Sequence, residues 1–221
     1  MKKNYAVIGL GLFGGSIVKT LINNNQEVLA IDKDEALVDS YQNIATEAVI
    51  ADAENEDALI QLGIGSFDNV FIAIADNMEA SIMATLLCKE LGVKNIICKA
   101  ENDRHEQVLK KIGADEVIQP EKLIGQQAAL KAIDPNILNN FPLTSNMSVS
   151  EIKLANQRLG QKDLSGANIA GNFNLKIITL NKNNTDDLQI NPSVNTQFDI
   201  GDTITVIGKQ TDIDDFEKRV M

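Results

Sequence analysis

Apolar positions fall in short continuous runs, separated by stretches in which they recur every three or four residues. Residues 5–8, 28–31, 48–51, 69–75, 95–99 and 116–118 are runs of strand length, most of them rich in Val, Ile and Ala. Between them, 34–43, 55–62, 77–91 and 103–112 carry the helical period, as does the stretch after residue 12. Strands that are apolar on both sides belong to a sheet covered on both faces. Their alternation with helices predicts an α/β, Rossmann-like parallel sheet. Pro120 and Glu121 open a further helix through residue 133, and Asp134-Pro135-Asn136 ends it, because proline disfavours helix in the residue before it.

The pattern then changes. Short β patterns appear at 148–153, 175–181, 188–190 and 203–208, with a final helix over 211–219 and turns rich in Asn, Gly and Asp. The expected organisation is a nucleotide-binding domain over 1–134, a linker over 135–146 and a small α+β domain over 147–221. That last module, about 75 residues, is too small for a dehydrogenase substrate domain.

The first strand runs into Gly9-Leu10-Gly11-Leu12-Phe13-Gly14, which opens a helix, and Asp32 closes the second strand. This places a GxGxxG motif in the context its chemistry needs. Gly9 permits a tight turn, Gly11 lets backbone approach a pyrophosphate, and Gly14 lets the helix pack near the sheet. The helix N-terminus offers N–H groups to phosphate. Asp32 is placed to accept ribose hydroxyls, and its charge disfavours the 2′-phosphate of NADP.

A net charge of −11 argues against a nucleic-acid or anionic-membrane surface, which calls for clustered Lys and Arg. The start, Met1-Lys2-Lys3-Asn4, leads into a strand too short for a signal-peptide core, and no run approaches the ~18 apolar residues of a membrane span. The expected location is cytoplasmic. Cys88 and Cys98 sit on apolar elements and read as buried free thiols.

Catalytic chemistry is sparse. Hydride transfer calls for an acid or base beside the nicotinamide, yet the chain has a single histidine, His105, whose polar neighbours Asp103, Arg104 and Glu106 predict a solvated surface position. No metal-ligand spacing occurs. Glu54, Glu56 and Asp57 read as first-turn dipole partners. Asp52 has two readings, a turn residue or a contact to a base at the carboxyl edge of the sheet.

The segments 6–14 and 28–32, Ile112-Gly113-Ala114-Asp115 and Pro120-Glu121-Lys122 together resemble the regulator-of-K⁺-conductance (RCK) family, and most of all the cytosolic gating subunits of Ktr-type K⁺ transporters. The resemblance covers the whole chain, with a weaker match to the RCK-C domain at its end. It implies a non-catalytic subunit that forms homodimers assembled into an octameric ring, peripheral to the membrane through a membrane K⁺ channel partner. It further implies ATP or ADP, with NAD or NADH in some members, as ligands that change the ring's shape. The contacts it implies are Gly9, Gly11, Phe13 and Gly14 at the phosphates, and Asp32 with Lys33 at the ribose. Asp52 and Ala53 would flank the adenine, Ile74, Ala75 and Asn77 would lie along the fourth strand's edge, and Lys99 would supply charge to phosphate. Glu121 has two readings: a first-turn dipole partner, or, by resemblance, a residue acting across a subunit interface near the terminal phosphate and a divalent cation such as Mg²⁺. Many Ktr subunits carry arginine where this chain has Leu12, which offers neither charge nor hydrogen bond. Some relatives bind cyclic di-AMP in the C-terminal module, which would fall here on Ile169, Ala170, Lys176, Ile177 and Pro192. The alternatives from the residues alone are a small NAD(H)-dependent oxidoreductase and an NAD(H) redox sensor.

Overall fold

The computed structural model describes residues 3–74, 76–133, 137–155, 166–183, 185, 188–193 and 195–220. The first unit follows the expected alternation: β1 (Asn4–Ile8), α1 (Leu12–Asn23), β2 (Glu27–Asp32), α2 (Glu35–Tyr41), β3 (Glu47–Ile50) and α3 (Glu56–Gln61). There follow β4 (Asn69–Ile72), α4 (Met78–Glu90), β5 (Ile96–Lys99), α5 (Asp103–Ile112), β6 (Glu116–Ile118) and α6 (Pro120–Ile133). The six strands are parallel in the order β3-β2-β1-β4-β5-β6. β1 is therefore central, with Ile8 opposite Ile31 on one side and Ile72 on the other. The order reverses between β1 and β4, and a crevice opens there at the carboxyl ends.

Side-chain alternation along each strand feeds two cores. Ala6, Ile8, Ile31, Leu59, Ile72, Ile96 and Leu109 pack on one face, and Val7, Val18, Val28, Val38 and Tyr41 on the other. Each Val, Leu and Ile side chain among them contributes about 2 kcal/mol by leaving water. Helix starts are set by side-chain caps: Asp34, Asn55, Asn77 and Asn102 accept backbone N–H bonds at the heads of α2, α3, α4 and α5. Cys88 and Cys98 are free and buried, as expected. Burial pushes their thiols up to about 12 and about 11, so neither is a thiolate near neutral pH.

The chain divides into two compact units, Met1–Lys122 and Leu123–Met221. The second holds β7 (Ile137–Pro142), β8 (Met147–Lys153), α7 (Gly166–Phe173), β9 (Lys176–Asn181), β10 (Leu188–Ile190), β11 (Thr203–Lys209) and α8 (Gln210–Val220). Its strands form an antiparallel sheet in the order β10-β9-β11-β8-β7. Ile152, Leu154, Ile204, Val206 and Phe216 fill its core, and Phe173 meets Phe216 edge-on at 5.1 Å between ring centres. Lys182 Nζ lies 2.8 Å from both Asp199 and the buried Asp202. Burial alone would raise the Asp202 carboxyl's pKa, but the Lys182 ammonium and the Asp199 and Asn183 N–H groups hold it low.

Two elements differ from expectation. The stretch read as linker contains β7, paired antiparallel to β8, with Pro142 opposite Ser148. Proline is tolerated because β7 is an edge strand, where a missing N–H breaks no inner ladder. Helix α7 was not expected in its Gly- and Asn-containing sequence; the burial of Ile169 in the core of this unit holds it. No helix among the described residues is long and apolar enough to cross a membrane.

Candidate nucleotide site

The crevice at the strand-order reversal is a cleft of about 470 Å³, within the range of small-molecule sites. Its floor is the carboxyl end of β1, where the ladder continues past the strands: Gly9 N–H donates to Ile31 O at 2.8 Å, and Ala73 N–H to Ile8 O at 2.7 Å. Gly9 has φ +95°, and a Cβ there would come within 2.9 Å of the Ala73 carbonyl carbon. At Gly14 a Cβ would fall 1.8 Å from Gly9 O, so α1 lies against the turn with no room for a side chain.

Gly11 is different. A Cβ at this position would meet nothing within 4 Å. Gly11 is the N-cap of α1, in extended conformation, with no side-chain cap and no acidic residue in the first turn. The first N–H groups of α1 are thus left by the protein's own side chains to an anion.

Asp32 closes the cleft on the β2 side. One carboxylate oxygen accepts Leu10 N–H at 2.7 Å and the other accepts Asp34 N–H at 3.0 Å. Each oxygen has a second lone pair to spare, so the group holds the glycine turn and still has capacity for two ribose hydroxyls. Asp52 Oδ1 accepts Glu54 N–H at 3.0 Å in the turn after β3, and Asn77 caps α4 through Ala80 N–H at 3.1 Å.

Of the residues singled out from the sequence, Gly9, Gly11, Asp32, Lys33, Asp52, Ala53, Ile74 and Asn77 line this cleft. Phe13, half-buried on α1, and Gly14 do not line it, although Gly14 supports the turn. Ala75 lies outside the described residues. Lys99 and Glu121 also lie away from the lining, paired with each other at 2.6 Å between Nζ and Oε1. Lys99 is held with 10% of its side chain exposed against 70% for Glu121, and its hydrogen bond keeps the Glu121 carboxyl below the usual range. Lining residues that the sequence did not bring out include Asp34, Leu37, Glu54 and Asp76. Their signal was position: each lies within five residues of the carboxyl end of β2, β3 or β4.

His105 is a correction. It is 1% exposed rather than solvated. Its Nδ1 faces Glu101 N–H at 3.4 Å, and its Nε2 has no hydrogen-bond partner among the described residues. Burial lowers its pKa, and the Glu101 charge offsets only part of that. The polar flanks face solvent or cap α5, while His105 and Leu109 form the buried face of that helix. In the second unit, Ile169 and Ile177 are buried in the core, Ala170 and Lys176 are exposed, and Pro192 is half-buried. No group of His, Cys, Asp and Glu among the described residues is arranged to hold a metal ion.

A family profile, the TrkA-N domain, matches residues 5–120. The chain belongs to the TrkA-N family. This TrkA-N chain is 42% identical over 221 residues to Ktr system potassium uptake protein C of Bacillus subtilis (strain 168), covering 100% of the chain and 99% of that relative. It is 40% identical over 219 residues to Ktr system potassium uptake protein A of the same organism, covering 99% of the chain and 97% of the relative. A solved structure of the GsuK channel bound to NAD matches 100% of the chain with a TM-score of 0.69 at 12% identity, a likeness of fold. The chain spans 40% of that channel's length.

Proposed function

We propose that the chain is the regulatory subunit of a K⁺ uptake system, binding an adenine nucleotide in the cleft between β1 and β4 and gating a membrane K⁺ channel partner from the cytoplasmic side. The whole-length likeness to potassium uptake proteins supports the physiological setting. The observation that carries the ligand is Gly11: the fold leaves its side-chain direction empty beside an uncapped helix N-terminus. Asp32 supplies ribose recognition with its spare lone pairs, and ATP, ADP and NAD(H) share the adenosine that it would hold.

The role is regulatory rather than catalytic. The titratable side chains lining the cleft, among the described residues, are carboxylates and Lys33, and the one imidazole is buried elsewhere. A homodimer is the first step of assembly in this reading. Every described side chain of α6 from Glu121 onward is exposed, Leu123, Ile124 and Ile133 included, and such a helix calls for a partner surface. Nucleotide shifts the ring only by its differential affinity for two shapes. A tenfold difference contributes about 1.4 kcal/mol per site, and coupled sites add.

The test is K⁺ flux through the membrane partner in liposomes, with the purified chain added and ATP, ADP, NAD or no nucleotide present. Flux that depends on the chain and differs between nucleotides is expected, and Gly11→Ala keeps the fold while losing that dependence. Identical flux under every condition would sink the proposal.

A further inference from the structure

We propose that His105 is a proton-operated latch: protonation of its Nδ1 breaks the hydrogen bond with Glu101 N–H and loosens the corner that holds the first turn of α6. The latch is independent of what the cleft binds.

The corner joins the end of β5, the head of α5, the end of β6 and the head of α6. Lys99 Nζ donates to Glu121 Oε1 at 2.6 Å, and Lys122 Nζ donates to Asp103 Oδ1 at 2.7 Å. The buried Gln119, just before α6, donates through Nε2 to Asp103 Oδ1 at 3.0 Å and to Glu106. On the other side, each of these bonds ends on Lys99 or on the first turn of α5. Lys122 is the last residue of the first compact unit, so this corner is where the chain leaves it. The next residues of the helix, Leu123 and Ile124, are exposed, and a loosened first turn changes how that apolar surface is presented.

His105 lies on the buried side of the same turn of α5 that carries Asp103 and Glu106. Its Nδ1 accepts Glu101 N–H at 3.4 Å, which puts the proton of the neutral ring on Nε2. Glu101 belongs to the loop between Lys99 and Asn102, the residue that caps α5 by accepting Arg104 and His105 N–H. One bond therefore ties the loop that follows Lys99 to the helix that holds Gln119 and Lys122. A proton added at Nδ1 turns the acceptor into a donor. Two donors then face each other, and Nε2–H has no acceptor among the described residues. A buried cation in that state is costly, and turning out to water relieves it. The loop and the head of α5 move with the ring.

The surrounding charges do not hold the imidazolium in place. α5 packs against α4 and β6. The titratable group on the buried face of α4 is Cys88, a neutral thiol, while Glu79, Lys89 and Glu90 of α4 and Glu116 of β6 are exposed. At the end of β5, Cys98 is a neutral thiol and Lys99 is paired with Glu121. On α5 itself Asp103, Arg104, Lys110 and Lys111 are exposed, and Glu106 is taken by Gln119 and Lys110. The Glu101 charge favours the cation, but burial outweighs it.

The chain has a single histidine, so its titration can be read without ambiguity. The experiment is hydrogen exchange by mass spectrometry on the tag-free full chain between about pH 7.5 and about pH 5.5, with amide rates corrected for their intrinsic pH dependence. The slow exchange of the imidazole C2–H gives the ring's own titration in the same samples. Amide protection over 100–106 and 119–123 is expected to fall several-fold across this range. The ceiling is about tenfold at one pH unit below the exposed imidazole's value of about 6.5, because opening takes up one proton. Protection of β1–β3 stays constant, and the two midpoints coincide. His105→Gln is neutral at every pH and accepts Glu101 N–H through Oε1, so its protection is expected to be flat. Should that variant fail to fold, the coincidence of the two midpoints in the unaltered chain decides. Protection that ignores pH, a loss shared equally by β1–β3, a loss that persists in folded His105→Gln, or midpoints about a unit apart each overturn the latch.

Discussion

The Asp32 carboxylate accepts the backbone N–H of Leu10 at 2.7 Å, so the residue that ends β2 also fixes the turn that ends β1. Recognition of ribose and shaping of the phosphate turn therefore reside in one side chain. Asp32→Ala strands the Leu10 and Asp34 N–H groups, one of them partly buried. Hydrogen bonds to a charged acceptor contribute about 1.5–3 kcal/mol each, less where water competes. The expected loss is about 2 kcal/mol in urea unfolding together with weakened nucleotide binding; an unchanged unfolding midpoint contradicts this role.

Gly11 and Gly14 separate ligand space from packing space. Gly14→Ala drives a methyl to 1.8 Å from Gly9 O, and backbone must move. A cost of about 2–4 kcal/mol is expected, in the range of severe overpacking. Gly11→Ala meets open space at a negative φ and costs under about 1 kcal/mol, chiefly as a poorer N-cap. Thermal melts of the two variants give the comparison, and equal destabilisation refutes it.

Lys99 and Glu121 differ in what each leaves behind. Glu121→Gln leaves a largely buried ammonium without its counter-charge and is expected to cost about 1–3 kcal/mol. Lys99→Met leaves an exposed carboxylate and a volume-matched apolar side chain, and stability stays within about 1 kcal/mol. Chemical denaturation of the two variants decides; a Lys99→Met loss larger than that of Glu121→Gln would reverse the argument.

His105 imposes a pH dependence. Its folded pKa is lowered by burial, so as pH falls the unfolded chain takes up the proton first. The stabilisation is full above the unfolded value of about 6.5 and declines as pH drops from there towards the lower folded pKa. Melting temperature is expected to fall across that window, before the carboxylates titrate, and His105→Gln flattens the slope. A wild-type profile as flat as the variant's is the failing result.

The strand and helix order of the first unit was legible because both periodicities are clean there and caps such as Asn55, Asn77 and Asn102 mark helix starts. The glycine turn and Asp32 were legible because their spacing is fixed by the fold. His105 was misread because its sequence neighbours are polar, while burial is decided by helix phase: one turn on from it is Leu109, also buried. β7 was hidden by its asparagines and Pro142, which an edge strand tolerates. Lys99 and Glu121 lie 22 residues apart, and nothing local says that a lysine ending one strand will find a glutamate opening a helix three elements later.

Gly11 also sets apart what drift can change without notice. A library of variants screened only for solubility and melting would let position 11 wander to other small residues, while position 14 stayed glycine. Screened for capture on an immobilised nucleotide, the same library would hold both. The divergence of the two libraries at that one codon would measure how much of this turn exists for the ligand and how much for the fold.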